Sequence, residues 1–485
     1  NIFTNCTAGK DFVMKKYEQL ADRLKQQIQK GIFHTGEKLP SIRHLSGQYK
    51  VSISTVQEAF YLLEAQGIVE ARLKSGHYVR GLPDGRPPSP PRVPEFNLKP
   101  QKISKWLKVL NVLFRREEPG ITYLGRATPN VRATTLKPLN RSLAALTRRG
   151  DERGLSYDYM FGCEELRQQI ARISVDSGCG LSPHEVVITS GCLEALSSCV
   201  RALTKPGDTV IVDSPSFYGS LQVIEANGLK TIEMPADPQT GVSLEAMELA
   251  LDKWPVKVCL LTPTFNNPLG YCMPDERKEA LLKLLKRYEV PLIEDDIFGD
   301  LAYDKPRPRT IKSFDREGRV LLCSSFSKTL APGLRVGWVA PGRYLQEVMH
   351  MKYVSSMGTA TFPQLAVADF IATGGYDRHL KRIRSEYRQG RDRMLEWIKT
   401  YFPENTRVSC PKGGFLLWLE LPENVNGEEL TTKAMEAGIG IASGNLFSAT
   451  DKFDHHIRLS YASAATHERE LAVRRLGELI CEMSG

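Results

Sequence analysis

Apolar residues recur at helical spacing in two stretches near the N terminus. The first comprises Tyr17, Leu20, Leu24 and Ile28, and the second comprises Val56, Ala59, Phe60 and Leu63. Residues three, four and seven positions apart share one face of a helix, so each stretch predicts an amphipathic helix. Gly31 and Gly67 follow as helix stops, and Ser52 or Ser54 can cap the second helix.

The residues around these two helices complete a small domain. Between the helices, LPSIRHLSGQYK predicts a short helix, and after them IVEARLKSGHYV predicts a β-hairpin with its turn near Lys74–Gly76. A helix, a helix–turn–helix pair and a hairpin in this order form a winged helix-turn-helix. We assign it to residues 14–80, after a tail, residues 1–13, that we expect to be disordered or non-native.

A proline-rich stretch separates this domain from the rest of the chain. Seven of the 20 residues from Gly81 to Pro100 are proline, which excludes a helix interior or a central strand and favours an extended conformation. At about 3.1 Å per residue, such a linker reaches roughly 60 Å. That length is sufficient to carry one domain across to a partner subunit. A larger domain then occupies residues 101–485.

In the larger domain, helical stretches alternate with short apolar runs. Five of these runs end in polar or glycine-rich residues, namely VVITSG, VIVDSPSFYG, VCLLTPTFNNPLG, VPLIEDDIFGD and VLLCSSFSK. This alternation predicts an α/β fold with a largely parallel sheet. Ligands of such sheets bind beyond the carboxyl ends of the strands, so the polar residues are expected to converge on one site.

Charge is concentrated in the small domain. The whole chain has a formal net charge of +9, and residues 14–80 hold 11 Lys and Arg against 6 Asp and Glu, a net of +5. This excess favours an anionic partner, although an ordinary solvated surface explains it equally well.

Hydropathy and cysteine content exclude several classes of protein. No run of about 18 apolar residues predicts a membrane span, and the N terminus lacks the apolar core of a signal peptide. Ten cysteines without a CxxC pair or a His/Cys cluster argue against a metal site and a disulfide framework. We therefore expect a cytoplasmic protein with buried thiols.

Two of the predicted strand ends carry groups that suit a phosphate. Ser190, Gly191 and Cys192 form a small-residue turn before a predicted helix, and such a turn exposes backbone N–H groups to an anion. Ser325 and Arg335 flank another strand end and add a hydroxyl and a guanidinium. Each element alone is weak evidence, because short turns and surface cations are common.

The other strand ends supply groups for a flat, polar ring. Phe217 can cover a ring face, Asn267 offers a neutral donor, Asp295 a carboxylate and Lys328 an amine. A lone lysine after serine is usually a surface residue, and a lone strand-end aspartate is often a cap. The order and spacing of the whole set carry the prediction.

The region from about Ile121 to the C terminus resembles the fold-type I aminotransferases, which depend on pyridoxal 5′-phosphate (PLP). The stretch SSFSKTLAPGLRVGW is the most specific match. The resemblance implies a large domain with a mostly parallel mixed sheet and a smaller C-terminal α/β domain. It also implies that Lys328 forms the internal aldimine, that Asp295 keeps the pyridine nitrogen protonated and that Asn267 bonds the phenolic oxygen.

The same resemblance assigns the remaining positions. The residues implied to hold the phosphate are Ser190, Gly191, Cys192, Ser325 and Arg335. Phe217 would stack on the ring, and Arg458 would clamp a substrate carboxylate unless it forms a structural salt bridge. Tyr157, or Tyr159 nearby, would reach the phosphate of a neighbouring subunit. Phe298 stands where the family usually has a cofactor-bonding tyrosine, which puts efficient catalysis in doubt.

The segment from Tyr17 to Val79 resembles the GntR-type winged helix in LPSIRHL, VSISTVQEAFYLLEAQG and GHYV. In this family the second helix of the motif enters the major groove. The resemblance places the following residues near DNA: Arg43, Ser52, Ser54, Thr55, Lys74, Ser75, Gly76 and His77. For any one of them the alternative is a surface or capping role. Ile53 stands where many relatives carry arginine, and an apolar contact to a thymine methyl would suit it.

Together, the two halves and the linker resemble the MocR/GabR-type transcriptional regulators, which are usually domain-swapped homodimers. The resemblance predicts a regulator that binds double-stranded operator DNA and senses PLP, an amine or an amino acid. One alternative is an active aminotransferase with an appended DNA-binding module. Another is a DNA-binding protein whose second domain is only a scaffold, which an intact cofactor set disfavours. Lys328 is the residue on which the first two hypotheses depend.

Overall fold

The structure is a computed structural model that describes nine stretches of the chain. These are residues 16–34, 36–65, 68–72, 75–79, 89–93, 97–113, 118–150, 152–450 and 452–485. The chain divides into two compact units, residues 1–86 and 87–485. The predicted N-terminal tail, residues 1–13, lies outside the described residues.

In its described part, the first unit contains three helices and a hairpin. They are α1 (Lys16–Gln29), α2 (Ile42–Tyr49), α3 (Ile53–Ala65), β1 (Val69–Arg72) and β2 (Gly76–Val79). The apolar residues predicted to face inward form one cluster, which includes Leu20, Leu24, Val56 and Phe60. β1 and β2 pair antiparallel, and Ser41 caps α2 through a bond from the His44 N–H. The winged helix-turn-helix arrangement is confirmed.

The second unit contains twelve helices within the described residues. They are α4 (Trp106–Leu113), α5 (Lys137–Arg149), α6 (Glu164–Ser174), α7 (Cys192–Leu203), α8 (Tyr218–Ala226), α9 (Leu244–Lys253), α10 (Asp275–Arg287), α11 (Leu345–Ser356), α12 (Thr361–Ala372), α13 (Gly375–Tyr401), α14 (Gly427–Glu436) and α15 (His467–Ser484).

The strands that the structure describes in this unit form a large sheet, a four-stranded sheet and one short pair. They are β3 (Gln101–Lys102), β4 (Thr122–Tyr123), β5 (Val187–Thr189), β6 (Thr209–Ser214), β7 (Lys230–Asp237), β8 (Gly241–Val242), β9 (Val256–Leu261), β10 (Leu292–Asp295), β11 (Val320–Ser325), β12 (Gly337–Ala340), β13 (Arg407–Val408), β14 (Leu416–Glu420), β15 (Ile439–Gly440), β16 (Ala442–Ser443) and β17 (His456–Ser460).

The large sheet brings the five predicted strand ends to one edge. Its strand order is β3-β7-β6-β9-β10-β11-β12-β5, with β8 paired to β7. The strands from β7 through β11 in this order are parallel, whereas β12 is antiparallel to both β11 and β5. β5 therefore points in the same direction as β11. The mostly parallel mixed sheet is confirmed, and the carboxyl ends of β5, β6, β9, β10 and β11 share one edge.

Both faces of the large sheet are covered, which explains the unbroken apolar runs in its strands. On β6, Val210 and Val212 pack in a cluster with α7 and α8, while Ile211 packs on the opposite side with α9 and α10. All six residues of β6 are buried. A sheet buried on both faces selects apolar residues at every position of its strands.

A smaller C-terminal sheet has the order β13-β14-β17-β16 with antiparallel pairing. Helix α13 packs on α15, and α14 packs on α15 and β16. This is the smaller α/β domain that the resemblance implied. Among the described residues, no helix is both long and apolar enough to cross a bilayer, and no three His, Cys, Asp or Glu side chains gather as metal ligands would.

Part of the predicted linker belongs to the second unit and packs on its smaller sheet. The carbonyl of Ser89 accepts from the Val408 N–H at 3.0 Å, and Pro91 is buried. The backbone N–H and Nε of Arg92 donate to the two carboxylate oxygens of buried Glu420 at 2.7 and 2.5 Å. We call Ser89–Val93 the strap. The predicted 20-residue linker is therefore not free over its whole length.

The composition of the linker could not reveal this docking. Proline lacks an N–H but keeps a carbonyl that can accept a hydrogen bond. In the strap, the Ser89 carbonyl accepts a hydrogen bond from the edge strand β13, and Arg92 donates to the carboxylate of Glu420 on β14. Further along, the carbonyl of Leu98 accepts from the Trp254 indole at 2.7 Å. Extended, proline-rich chain therefore serves here as a surface layer of the second unit.

Glu420→Gln tests what holds the strap. The substitution removes the charge that both donors of Arg92 use, so we expect trypsin to cleave after Arg92 about fivefold faster or more, because cleavage requires local release of the chain. The readout is the rate at which a fragment beginning at Val93 accumulates. Glu423→Gln is the matched control, since Glu423 contacts only the guanidinium. Equal rates for the two variants and the wild type would contradict this assignment.

Candidate functional site

The turn before α7 is shaped by two glycines and one arginine. Gly191 caps the helix with φ +92°, a conformation that favours glycine, and a Cβ there would lie 2.3 Å from Nη2 of Arg335. That Nη2 donates to the carbonyl of Ser190 at 2.7 Å. A Cβ on Gly337 of β12 would lie 2.4 Å from the carbonyl carbon of Gly191. The turn therefore requires both glycines.

The same turn presents donors suited to an anion. The N–H of Ser190 is occupied by the carboxylate of Glu194, and that of Gly191 by the carbonyl of Thr189. The first N–H groups of α7, from Cys192 onward, have no partner within the helix, and the helix dipole adds positive potential at this end. With the Arg335 guanidinium beside it, the turn has the donor set of a phosphate site.

Lys328 follows β11 and lies between opposite charges. Its Nζ donates to the carbonyl of Ala127 at 2.7 Å. Burial, together with the positive charge of Arg458, lowers the pKa of Lys328 to about 8, against the opposing effect of Asp295. Ser325, at the end of β11, accepts from the Ser327 N–H at 3.2 Å and so fixes the bend that leads to Lys328.

Asp295 ends β10 as a buried carboxylate. Oδ1 accepts from the Ile297 N–H at 3.1 Å and from the Cys192 thiol at 3.6 Å. Burial raises the pKa of Asp295 to about 7, and these two bonds oppose the rise. Among the described residues, none donates to Oδ2. A cationic N–H placed at Oδ2 would favour the ionised form.

Arg458, on β17 of the smaller sheet, reaches the same place. Nη1 donates to Oδ1 of Asn267 at 3.0 Å and Nη2 to the carbonyl of Gly125 at 2.7 Å. Its Nε is buried without a partner, and its guanidinium lies 4.9 Å from the centroid of the Phe447 ring. Burial lowers the pKa of Arg458. Within the described chain no carboxylate pairs with Arg458, so the alternative of a structural salt bridge finds no support there.

The predicted aromatic positions occupy different environments. Phe217 precedes α8 at the end of β6, half-buried and tilted against Tyr218. Phe298 is buried and meets the ring of Phe415 edge-on at 5.4 Å. Tyr157 is 88% exposed and Tyr159 is 62% exposed. The single chain leaves both of these tyrosines accessible to another molecule.

The groups at this edge fit a flat ring that carries a phosphate. The fit rests on three observations: a glycine-lined turn with free helix N–H groups, a buried carboxylate with an open oxygen, and the orphaned Nε of Arg458. Because the Asn267 oxygen accepts from Arg458, its amide N–H₂ remains available as a donor. These are the contacts that PLP and a carboxylate-bearing ligand would use.

Sequence reasoning missed the groups that act through the backbone. The carbonyls of Gly125 and Ala127 hold Arg458 and Lys328, yet no side chain in that GRA segment marks it as part of a site. Gly337 was missed because a glycine that permits close packing resembles any other glycine. Cys192 was assigned to the phosphate through its N–H, whereas its thiol points to Asp295.

At the other end of the chain, the predicted DNA residues of α3 gather at its first turn. Ser52 caps the helix by accepting from the Thr55 N–H at 3.1 Å, and its hydroxyl lies 2.8 Å from those of Ser54 and Thr55. Ile53 is half exposed beside them, and Arg43 on α2 is also exposed. The turn therefore presents one apolar and three hydroxyl-bearing side chains.

The predicted wing residues are only partly free. Lys74 lies outside the described residues, and the Ser75 hydroxyl lies 2.6 Å from that of Tyr78. Gly76 has φ +115°. The His77 ring stacks on Phe60 at 4.0 Å, and Nε2 lies 3.1 Å from the carboxylate of Glu64. The His77 ring therefore attaches the wing to α3. The backbone of His77, rather than its ring, remains available to contact DNA.

Comparison with known proteins matches the two units separately. Residues 128–476 match the family described as aminotransferase class I and II, and residues 16–79 match bacterial regulatory proteins of the gntR family. The chain belongs to the class I and II aminotransferase family. Its N-terminal domain is a GntR-type helix-turn-helix, so it combines the two parts of a MocR-type regulator, as the sequence predicted.

Relatives of this class I and II family member share the two-part organisation over nearly their whole length. The uncharacterised HTH-type transcriptional regulator YjiR of Escherichia coli (strain K12) is 44% identical over 96% of this chain and 99% of YjiR. The uncharacterised regulator YdcR of the same strain is 38% identical over 97% of this chain and 100% of YdcR.

Among solved structures, the second unit resembles LysN, an α-aminoadipate aminotransferase from Thermus thermophilus. LysN is complexed with N-(5′-phosphopyridoxyl)-L-leucine. The TM-score is 0.71 at 28% identity, covering 77% of this chain and 94% of LysN. The aminotransferase fold that the sequence predicted is confirmed by this likeness and by the family match over residues 128–476.

Gly337→Ala tests the packing of the turn before α7. The new methyl group would overlap backbone atoms of Gly191 and Cys192, so we expect Tm to fall by about 1–4 °C, given the usual free-energy cost of overpacking and the size of this unit. Gly333→Ala is the control, because nothing lies within 4 Å of its Cβ and its φ is not positive. Scanning calorimetry gives the readout, and a Tm equal to that of the control would refute the close approach.

Proposed function

We propose that the chain is a PLP-binding transcriptional regulator whose aminotransferase-like domain senses PLP, an amine or an amino acid. One observation carries the proposal: Lys328, Asp295 and Arg458 stand together in a chain that begins with a GntR-type domain. A domain kept only as a scaffold has no use for a buried amine, carboxylate and guanidinium at one edge. The regulator names of relatives that match along the whole chain support the same function.

Within this proposal each residue has a task toward the cofactor. Lys328 is the covalent anchor, Asp295 pairs with the ring nitrogen and Asn267 donates to the phenolic oxygen. PLP, when bound, supplies an aldehyde that exchanges amines reversibly and a ring that withdraws electrons. Ser190, the N–H of Cys192, Ser325 and Arg335 hold the phosphate, with Phe217 against the ring. Phe298 places no hydroxyl near the ring.

Arg458 favours an effector with a carboxylate. A guanidinium that is buried, bonded to two neutral oxygens and left with an orphaned Nε gains a charged partner when a carboxylate binds. An amino acid offers both this carboxylate and an amine for exchange at Lys328. We therefore place amino acids first among the candidate effectors.

A second copy of the chain would complete the arrangement as a homodimer. Several large apolar side chains close to α7 and to the Tyr157 loop are exposed: Leu155, Leu193, Tyr353 and Met357. An interface with a second copy would cover them and bring Tyr157 to the partner's phosphate. In the domain-swapped form, the DNA-binding domain of one subunit accompanies the second unit of the other.

DNA recognition would fall to the first turn of α3. In helix-turn-helix proteins the N-terminal residues of the second helix read base edges while phosphate contacts fix the register. Ser52, Ser54 and Thr55 can donate to bases or phosphates, and Ile53 suits a thymine methyl. Arg43 and the wing residues Lys74, Ser75, Gly76 and His77 would contact the backbone.

An active aminotransferase is the second candidate function. The lowered pKa of Lys328, about 8, suits a general base, and this favours proton transfer at substrate carbon. Phe298 weighs against efficient turnover because the hydroxyl usual at this position is missing. Turnover of amino acid and keto acid pairs at the roughly 10 per second typical of enzymes would reverse the ranking of the two functions.

Lys328→Ala separates sensing from DNA binding. We expect the wild type with PLP to change its affinity for DNA by about 5–150-fold when the effective amino acid is added, the usual range of allosteric coupling. The variant should retain DNA affinity and lose this response. The probe is a duplex that the wild type selects from a random library, titrated by fluorescence anisotropy against a panel of amino acids.

Lys283→Ala, at an exposed position of α10, is the control for the loss of a lysine. A response to amino acids that survives in Lys328→Ala would refute the sensor function. An absence of DNA binding by the wild type under low salt would refute the regulator function as a whole.

The pH dependence of PLP attachment tests the environment of Lys328. Only the neutral amine attacks an aldehyde, and a pKa of about 8 makes its fraction rise about tenfold between pH 7 and pH 9 and little beyond. We expect the rate at which the visible absorbance develops after PLP is added to follow this curve. An ordinary lysine, measured with N-acetyl-lysine, continues to gain rate up to pH 10, and the same behaviour in the protein would contradict the assignment.

A further inference from the structure

The thiol of Cys192 lies between two parts of the proposed cofactor site. One is the turn before α7, which would hold the phosphate, and the other is Asp295, which would pair with the ring nitrogen. Cys192 is the first residue of α7 and is buried, and its Sγ donates to Oδ1 of Asp295 at 3.6 Å. The same Oδ1 accepts from the Ile297 N–H. Both donors therefore lie on one carboxylate oxygen, and Oδ2 is left for a ligand.

We propose that Cys192 is a positioning residue, whose thiol holds Asp295 ionised and oriented toward the pyridine nitrogen of the cofactor. The inference rests on the proposed PLP function. It assigns Cys192 a side-chain role in addition to its backbone N–H at the phosphate. Through this one residue, the start of α7 would serve both the phosphate and the ring nitrogen.

The thiol stays protonated and therefore remains a donor. Burial, reinforced by the negative charge of Asp295, raises the pKa of Cys192 well above its usual value. An S–H group is a weak donor, but a bond to an ionised acceptor in a buried place is stronger than one in water. Cys259 provides a contrast, because it is also buried, on β9, and burial alone raises the pKa of its thiol.

The other negative charges near Asp295 disfavour its ionised form, so the carboxylate depends on hydrogen-bond donors to stay ionised. Asp213 at the end of β6 and the adjacent Asp296 both raise its pKa. Cys323, its neighbour on β11, is buried and carries no charge, since burial raises the pKa of that thiol too. Lys328 is the nearby cation, and its own pKa is lowered to about 8. Near neutral pH, losing the Cys192 donor would shift Asp295 toward its protonated form.

A protonated Asp295 cannot pair with a protonated ring nitrogen. The loss of one donor to a buried carboxylate moves its pKa up by about half a unit to one unit, given the usual energy of such a bond. Cofactor affinity then falls only at pH values at which the variant carboxylate is protonated. The effect is therefore confined to the acidic side of about pH 7 to 8 and disappears above it.

The experiment compares Cys192→Ala, Cys192→Ser and Cys259→Ala as full-length proteins. The probe is pyridoxamine 5′-phosphate, which has the same ring and phosphate as PLP but needs no reaction with Lys328. Its affinity is measured by calorimetry at pH 6.0 and pH 8.5. The probe's own ionisation is common to all the proteins, so it cancels when the variants are compared with the wild type.

We expect Cys192→Ala to weaken binding about threefold to tenfold at pH 6.0 and less than twofold at pH 8.5. Cys192→Ser keeps a donor and should stay within about twofold of the wild type at both pH values, as should Cys259→Ala. Equal affinities of Cys192→Ala and the wild type at pH 6.0 would overturn the inference. An equal loss at both pH values, shared by Cys192→Ser, would overturn it as well, because it would reveal packing alone.

The two proposals fail in different ways. If the wild type binds neither pyridoxamine 5′-phosphate nor PLP, the proposed cofactor is wrong, and the role of Cys192 falls with it. If the wild type binds the probe and Cys192→Ala binds equally well at pH 6.0, the cofactor assignment stands and only the role of Cys192 is lost.

Discussion

The common direction of five strands is the constraint on which the candidate site depends. Because β5, β6, β9, β10 and β11 all end at one edge of the large sheet, side chains far apart in sequence come together there, as Cys192 and Asp295 do across 103 positions. Asp295 and Lys328 are neighbours only because β10 and β11 are parallel. The reversed strand β12, which lies between β11 and β5, contributes Gly337, whose missing side chain lets the turn before α7 pack against the sheet.

A second constraint is the cost of burying charge at that edge. Asp295, Arg458 and Lys328 are each partly satisfied by neutral groups, and burial displaces the pKa of all three from its usual value. Without a ligand, a site of this kind costs free energy, because each charged group has lost its hydration and is only partly stabilised by the neutral groups around it. A bound group with complementary charges lowers this cost, which is a physical basis for a receptor as much as for an enzyme.

Much of this organisation could be predicted from sequence, because it depends on local patterns. Apolar periodicity gave the helices of the first unit, and polar residues after apolar runs identified Lys328 and Asp295 as members of one edge. Three contacts could not be predicted from the sequence. They are the bond of the Cys192 thiol to Asp295, the stacking of His77 on Phe60 and the ion pair of Arg92 with Glu420. Each depends on which distant segment lies opposite, and a single sequence does not encode that information locally.

The strap has a consequence for operator geometry. Ten peptide steps separate Val79, the last residue of the wing, from Ser89, where the chain is fixed to the second unit. Fully stretched, ten steps cover at most roughly 35 Å, which is about one turn of B-DNA. The covalent length of this segment alone therefore limits the distance between Val79 and Ser89 to about one helical turn of DNA. In the homodimer proposed above, the spacing between two half-sites would therefore depend chiefly on the positions of the two Ser89 anchors, and only to a small extent on the length of chain between anchor and wing.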